Sequence, residues 1–142
     1  MEVIRRNTGY ALRVMVHLSR QYGAGMVSTR AIAANENFPY PLAAKIMQSL
    51  QKAGLVKSSM GVRGGFELAK HPTDISLLNV IVAIQGPVSL IRCVMGTDAC
   101  CAKKTCSIRN RFCQLQDTMT QQFREISLLE LTAKRSKPQA VE

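Results

Sequence analysis

The sequence predicts a mainly α-helical chain with one small two-stranded β-hairpin and a long helix near its C-terminus. Three observations carry this. Apolar residues recur at helical spacing before residue 85 and again after residue 107. A glycine-rich stretch, Ser59-Met60-Gly61-Val62-Arg63-Gly64-Gly65, separates two short β-prone runs. Helix-capping residues punctuate the segments, with Ser, Thr or Pro before them and Gly after.

The first helix is expected over 8–22, where Ala11, Leu12, Met15, Val16 and Leu18 form an apolar face. Thr8 stands where its N-cap belongs and Gly23 follows its last turn. Ser28 caps a short second helix through Ala31, Ile32 and Ala33, and a break follows at 35–40. A third helix over 41–53 opens on Pro41, carries Leu42, Ile46, Met47 and Leu50 on one face, and stops at Ala53-Gly54. Strands are expected at 55–58 and 66–69. Ser76 then caps a helix over 77–84, closed by Gly86-Pro87.

Residues 88–106 read as irregular. From 107 to 131 one continuous helix is expected, with Ile108, Phe112, Leu115, Met119, Phe123, Ile126 and Leu129 on a near-heptad seam. A seam of that length predicts self-association through Ile108, Phe112, Leu115, Met119, Phe123 and Ile126, giving a homodimer. The organisation that follows is 1–87, a compact domain; 88–106, a cysteine-rich loop; 107–131, a dimerisation helix; and 132–142, a flexible tail.

Composition narrows the function. The chain has 142 residues, 19 Lys+Arg against 9 Asp+Glu, a net charge of +10 and 46% hydrophobic residues. That suits one packed domain with an extension and excludes a disordered basic tail. No apolar run approaches the roughly 18 residues of a membrane span, and Met1-Glu2-Val3-Ile4-Arg5-Arg6 lacks the apolar stretch of a secretory signal. A cytoplasmic protein without a membrane partner is expected. Residues 1–72 hold ten Lys/Arg and three Asp/Glu, a net of +7, so a polyanion is expected to meet the first half.

Three helices followed by a hairpin describe a winged helix–turn–helix, and its polyanion is double-stranded DNA. The recognition helix would offer Tyr40, Ala43, Ala44, Lys45 and Gln48 to base edges in the major groove. Arg5, Arg6, Ser28, Thr29 and Arg30 suit phosphates. Arg63, on the hairpin tip, suits a narrow minor groove.

The run Leu50-Gln51-Lys52-Ala53-Gly54-Leu55-Val56-Lys57-Ser58, followed by Gly61-Val62-Arg63-Gly64-Gly65-Phe66-Glu67-Leu68-Ala69, resembles the signature of the Rrf2 transcriptional regulators. The opening Thr8-Gly9-Tyr10-Ala11-Leu12-Arg13 agrees with it, and the resemblance covers roughly 5–131. It implies a homodimer that reads a palindromic operator. The cysteines narrow it to the iron–sulfur-binding branch, which includes IscR, NsrR and RirA.

All five cysteines fall between Cys93 and Cys113. An odd, clustered set without a secretory signal points to metal binding or redox response rather than a disulfide framework. Cys93, Cys100 and Cys106 give the spacing C-x6-C-x5-C. The resemblance makes these three the ligands of an iron–sulfur cluster, [2Fe-2S] or [4Fe-4S], with Cys101 the alternative. Arg109 stands where IscR-type relatives place a histidine, and Gly9 where NsrR-type relatives place an acid. Thr8, a backbone group, water, Cys101 or Cys113 is left as the fourth ligand, and Cys113 reads more readily as a helix-packing thiol.

Lys103, Lys104, Arg109 and Arg111 add positive charge around the loop, of the kind that favours thiolates. The expected function is a transcription regulator whose operator affinity follows a cluster sensing iron, nitric oxide or redox state. A cluster-free thiol switch or a zinc site on the same fold is the alternative. An adaptor acting through the long helix is a further class. An enzyme is not expected: there is no CxxC, and no Ser/His/Asp or paired-carboxylate set stands out.

Overall fold

The computed structural model describes residues 2–91 and 105–133; Cys93, Cys100, Cys101 and residues 134–142 lie outside them. The elements are α1 (Arg6–Arg20), α2 (Thr29–Glu36), α3 (Tyr40–Lys52), β1 (Val56–Ser59), β2 (Gly65–Leu68), a 3-10 turn (Pro72–Asp74), α4 (Leu77–Gln85), α5 (Ser107–Glu125) and α6 (Leu128–Thr132).

Helix α1 begins two residues before the expected start, because Thr8 is not its cap. The N-cap is Arg5, which makes no side-chain cap bond. Thr8 is fully buried, and its hydroxyl donates to Gln85 Oε1 at 2.7 Å. The Arg5 N–H donates to the same oxygen at 2.9 Å, and Gln85 Nε2 donates to the Val3 carbonyl at 3.0 Å. The last side chain of α4 therefore caps α1 from outside. The apolar face of α1 is as expected at Ala11, Met15 and Leu18, with Val14 added to it.

Ser28 caps α2 by accepting from the Ala31 N–H at 3.2 Å. Asn37, in the left-handed region at φ 55°, ends it. Pro41 falls at the second position of α3 rather than the first, after a Pro39 N-cap. At the other end Gly54 takes φ 75° and the chain closes in a paired motif: Gly54 N–H donates to Gln51 O and Leu55 N–H to Leu50 O, both at 3.0 Å. Leu50 and Leu55 are both buried in the core, the apolar contact that such a C-terminus favours.

The hairpin is antiparallel, with Val56 opposite Leu68 and Ser59 opposite Gly65. Val27 adds a short third rung, donating to Phe66 O at 2.9 Å and accepting from Phe66 N at 2.8 Å. That approach requires glycine at 65, where a Cβ would stand 2.5 Å from the Val27 carbonyl oxygen. Ser76 and Asn79 form a reciprocal capping box at the start of α4.

The expected continuous helix over 107–131 is corrected. It stops at Glu125. The chain then runs extended through Ile126 and pairs with the segment before α4: Leu77 N–H donates to Ile126 O at 2.8 Å and Leu128 N–H to Ile75 O at 2.9 Å. Ser127 and Glu130 form a second capping box and start α6, which packs on α1. Leu128 is fully buried in the same core as Ala11, Met15, Ile32, Met47, Leu50, Ile75 and Val80. The physical reason is burial: turning back seats Leu128 in the core, whereas a straight helix would carry it away from that site. Thr132, expected in the tail, is the last residue of α6.

Candidate nucleic-acid interface and cysteine segment

Helices α2 and α3 pack on one another and on α1 through Ile32, Ile46, Met47 and Leu50. Burial on that side leaves Pro41, Lys45, Gln48 and Lys52 exposed along the other face of α3, with Ala44 half-buried among them. Tyr40 stands half exposed at the first position. Ala43 is a correction: it is fully buried, one of the residues that seat α3 on the core, and offers nothing to a groove. The small side chain there serves close helix packing.

Arg5, Arg6 and Arg30 are exposed, as is Arg63 on the hairpin. Among the described residues these four and Lys45 enter no ion pair. The positive charge is therefore available to a partner. Arg13 is used differently: its Nε meets Glu36 Oε2 at 2.9 Å and a second nitrogen meets the Glu36 carbonyl at 2.9 Å, tying α1 to the end of α2. The Ser28 hydroxyl is occupied as a cap, and Thr29 is half-buried beside it. Gln51 donates to Ser58 Oγ at 2.8 Å and so fixes the root of the hairpin against α3.

Of the five cysteines, Cys106 and Cys113 are described, both as free, half-buried thiols. Cys106 is the N-cap of α5. Its Sγ accepts the Arg109 N–H at 3.4 Å, so a helix N-terminus, where partial positive charge collects, faces the sulfur. Among the described residues no group of three or more His, Cys, Asp or Glu could hold a metal ion. Thr8, one of the groups left as a fourth ligand, is fully buried with its hydroxyl donated to Gln85 Oε1.

Along α5, Ile108 is 66% and Leu115 51% exposed, with Phe112, Met119 and Phe123 half-buried near them. Ile126, the last residue of the expected seam, sits half-buried in the extended break. Sequence reasoning missed Gln116. It is nearly buried on the side of α5 that faces its own domain. Its Nε2 donates to Val88 O at 2.7 Å and to Thr120 Oγ1 at 3.2 Å, and its Oε1 accepts the Leu90 N–H at 2.9 Å. This side chain pins the irregular segment around Val88 and Leu90 onto α5. No local pattern marks a glutamine for burial, so no sequence signal was available.

The Rrf2 family, described as an iron-dependent transcriptional regulator, matches residues 4–134. The regulator slr0846 of Synechocystis, named for a helix–turn–helix, is 37% identical over 76 residues, covering 54% of this chain and about half (52%) of its own length. CymR of Bacillus subtilis is 28% identical over 78% of this chain and 80% of its own. The solved structure of CymR, the global cysteine regulator of that organism, superposes with a TM-score of 0.79 at 25% identity, covering 94% of this chain and 98% of that one. T. potens IscR shares the fold, with a TM-score of 0.74 at 22% identity, covering 95% and 93%.

Proposed function

The chain belongs to the Rrf2 family of DNA-binding transcriptional regulators, and from that premise we propose that it is a cytoplasmic homodimer whose operator affinity is set by an iron–sulfur cluster. Lys45 on α3 and Arg63 on the hairpin, exposed and without an ion pair among the described residues, support the DNA reading most strongly. Lys45 and Gln48, with Tyr40 and Ala44, face the major groove, where a good bidentate contact is worth about 1–3 kcal/mol of discrimination. Arg5, Arg6, Arg30 and the α2 N-terminus at Ser28-Thr29 hold phosphates. Arg63 enters the minor groove. Two copies pair through the partly exposed apolar stripe of α5 (Ile108, Phe112, Leu115, Met119, Phe123) and Ile126, so the operator is palindromic.

Cys93, Cys100 and Cys106 hold the cluster, with Cys101 the alternative ligand. Cys106 carries the argument within the described residues, as a sulfur set at a helix N-terminus. When bound, the cluster supplies sensitivity to iron supply, nitric oxide or oxidants. The chain does the rest: α5 begins at Cys106, and Gln116 ties the other end of the cysteine loop to the same helix. A change in the loop thus reaches α5 from both sides and biases the spacing of the two recognition helices.

Protein purified without oxygen is expected to be brown, with iron and sulfide, and Cys93→Ser/Cys100→Ser/Cys106→Ser to be colourless. Full colour in the triple variant rejects the ligand set. Colourless wild-type protein containing zinc, or DNA affinity that follows thiol oxidation without metal, establishes the zinc or thiol-switch reading instead. On the DNA side, log affinity is expected to fall linearly with log salt. Arg6→Ala and Arg30→Ala should each reduce the slope by about one, because each removes a phosphate contact. Titrations of a labelled duplex at several salt concentrations measure it.

A further inference from the structure

Two side chains of the hairpin tip have no place in that reading. Met60 is 98% exposed and Val62 107%, the most exposed large apolar residues among those described. They flank Gly61, which takes φ 110°, and Arg63 follows directly. Single exposed apolar residues are ordinary; two fully exposed at one tip, beside a cation, form a distinct end group.

The hairpin beneath that tip is stiff. At Gly64 a Cβ would collide with the Ser59 carbonyl oxygen, and at Gly65 with the backbone of Val27. Lys57 Nζ meets Glu67 Oε1 at 3.1 Å across the strands, and Gln51 holds Ser58 from α3. The strands that carry the tip are therefore held against α3. From Ser59 to Phe66 it carries a single charged residue, Arg63.

A narrow minor groove concentrates negative potential and attracts arginine. Proteins that enter it commonly press apolar side chains between base pairs, which unstacks a step and bends the duplex. We propose that Met60 and Val62 form an apolar wedge that the hairpin sets into the minor groove beside Arg63, opening a base step and bending the operator. The inference rests on the regulator reading above. It adds a shape requirement to operator choice: a deformable step must lie under each tip, at a position that α3 does not touch.

The test uses the full chain. Wild-type protein first enriches duplexes from a random library about 30 base pairs long, enough for two half-sites. The enriched duplex is then labelled with terminal dyes that report bending and with aminopurine under the hairpin footprint, which brightens on unstacking. Met60→Ser/Val62→Ser is the comparison; among the described residues both side chains are fully exposed, so folding is preserved. The expected result is roughly tenfold weaker binding with bend and brightening lost. The salt slope stays unchanged, because no cation is removed. Arg63→Ala should change the slope instead. Equal bending and brightening in the double variant overturn the wedge and leave the regulator reading standing. A substitution that alters self-association without DNA also overturns it, by making the tip a protein contact. If wild-type protein enriches no duplex, the regulator reading falls and the wedge falls with it.

Discussion

Leu128→Ala is expected to destabilise the protein by about 2–5 kcal/mol, the range for deleting a buried leucine whose surroundings relax only in part. Leu128 is fully buried and packs in the one core that α1, α3 and α4 share. For a domain of this size the melting temperature should fall by on the order of 10 °C. Leu129→Ala is the control. Leu129 is 46% exposed, and its removal should cost about 0.5 kcal/mol or less in the isolated subunit. A continuous helix on a heptad seam would reverse that ranking, because Leu129 belongs to the seam and Leu128 does not. Thermal unfolding of the two variants side by side therefore decides between the seam and the observed turn at Ile126-Ser127.

Gln116→Leu is expected to act on both stability and control. The substitution leaves the Leu90 N–H and the Val88 carbonyl without their partner in a partly buried place. Each orphaned group costs about 1–3 kcal/mol where water does not reach it. The amide orientation is fixed by these partners, since an N–H requires the oxygen and a carbonyl requires the nitrogen. Gln116→Glu should therefore be no milder: it keeps the acceptor for Leu90 but sets an oxygen against the Val88 carbonyl. Denaturant unfolding measures the stability loss.

Control is read separately, as the ratio of DNA affinities between cluster-loaded and cluster-free protein. That ratio should shrink towards one in Gln116→Leu while the colour of the loaded protein is kept. A ratio equal to that of wild type, at reduced stability, would assign Gln116 a packing role alone.

The sequence and the structure agree where local chemistry decides the outcome. Ser28, Gly54 and Ser76 cap or close helices as side-chain and backbone rules require, and the glycines place the hairpin. The exposed face of α3 follows from the apolar residues opposite it. The errors have different causes. Ser127-Leu128-Leu129-Glu130 is a capping box written in the sequence, but a longer apolar repeat ran through it and suggested one helix. Thr8 has the chemistry of a cap, yet a tertiary partner, Gln85, claims its hydroxyl. Ala43 is too small to declare a face by itself. Gln116 was illegible because a polar residue on a helix ordinarily reads as surface, and only a segment distant in sequence makes it otherwise. The cysteine spacing suggested ligands by resemblance; of the proposed trio, Cys106 lies within the described residues, at the N-cap of α5.

The turn at Ile126-Ser127 also has a meaning for synthesis. A ribosome makes the basic half before the cysteine segment, and Leu128 after both. Until Leu128 emerges, the core beneath α1 and α4 lacks the residue that fills it. The helical domain is thus sealed only after the cysteine segment has been translated, so a chain interrupted before Leu128 is left with an open core.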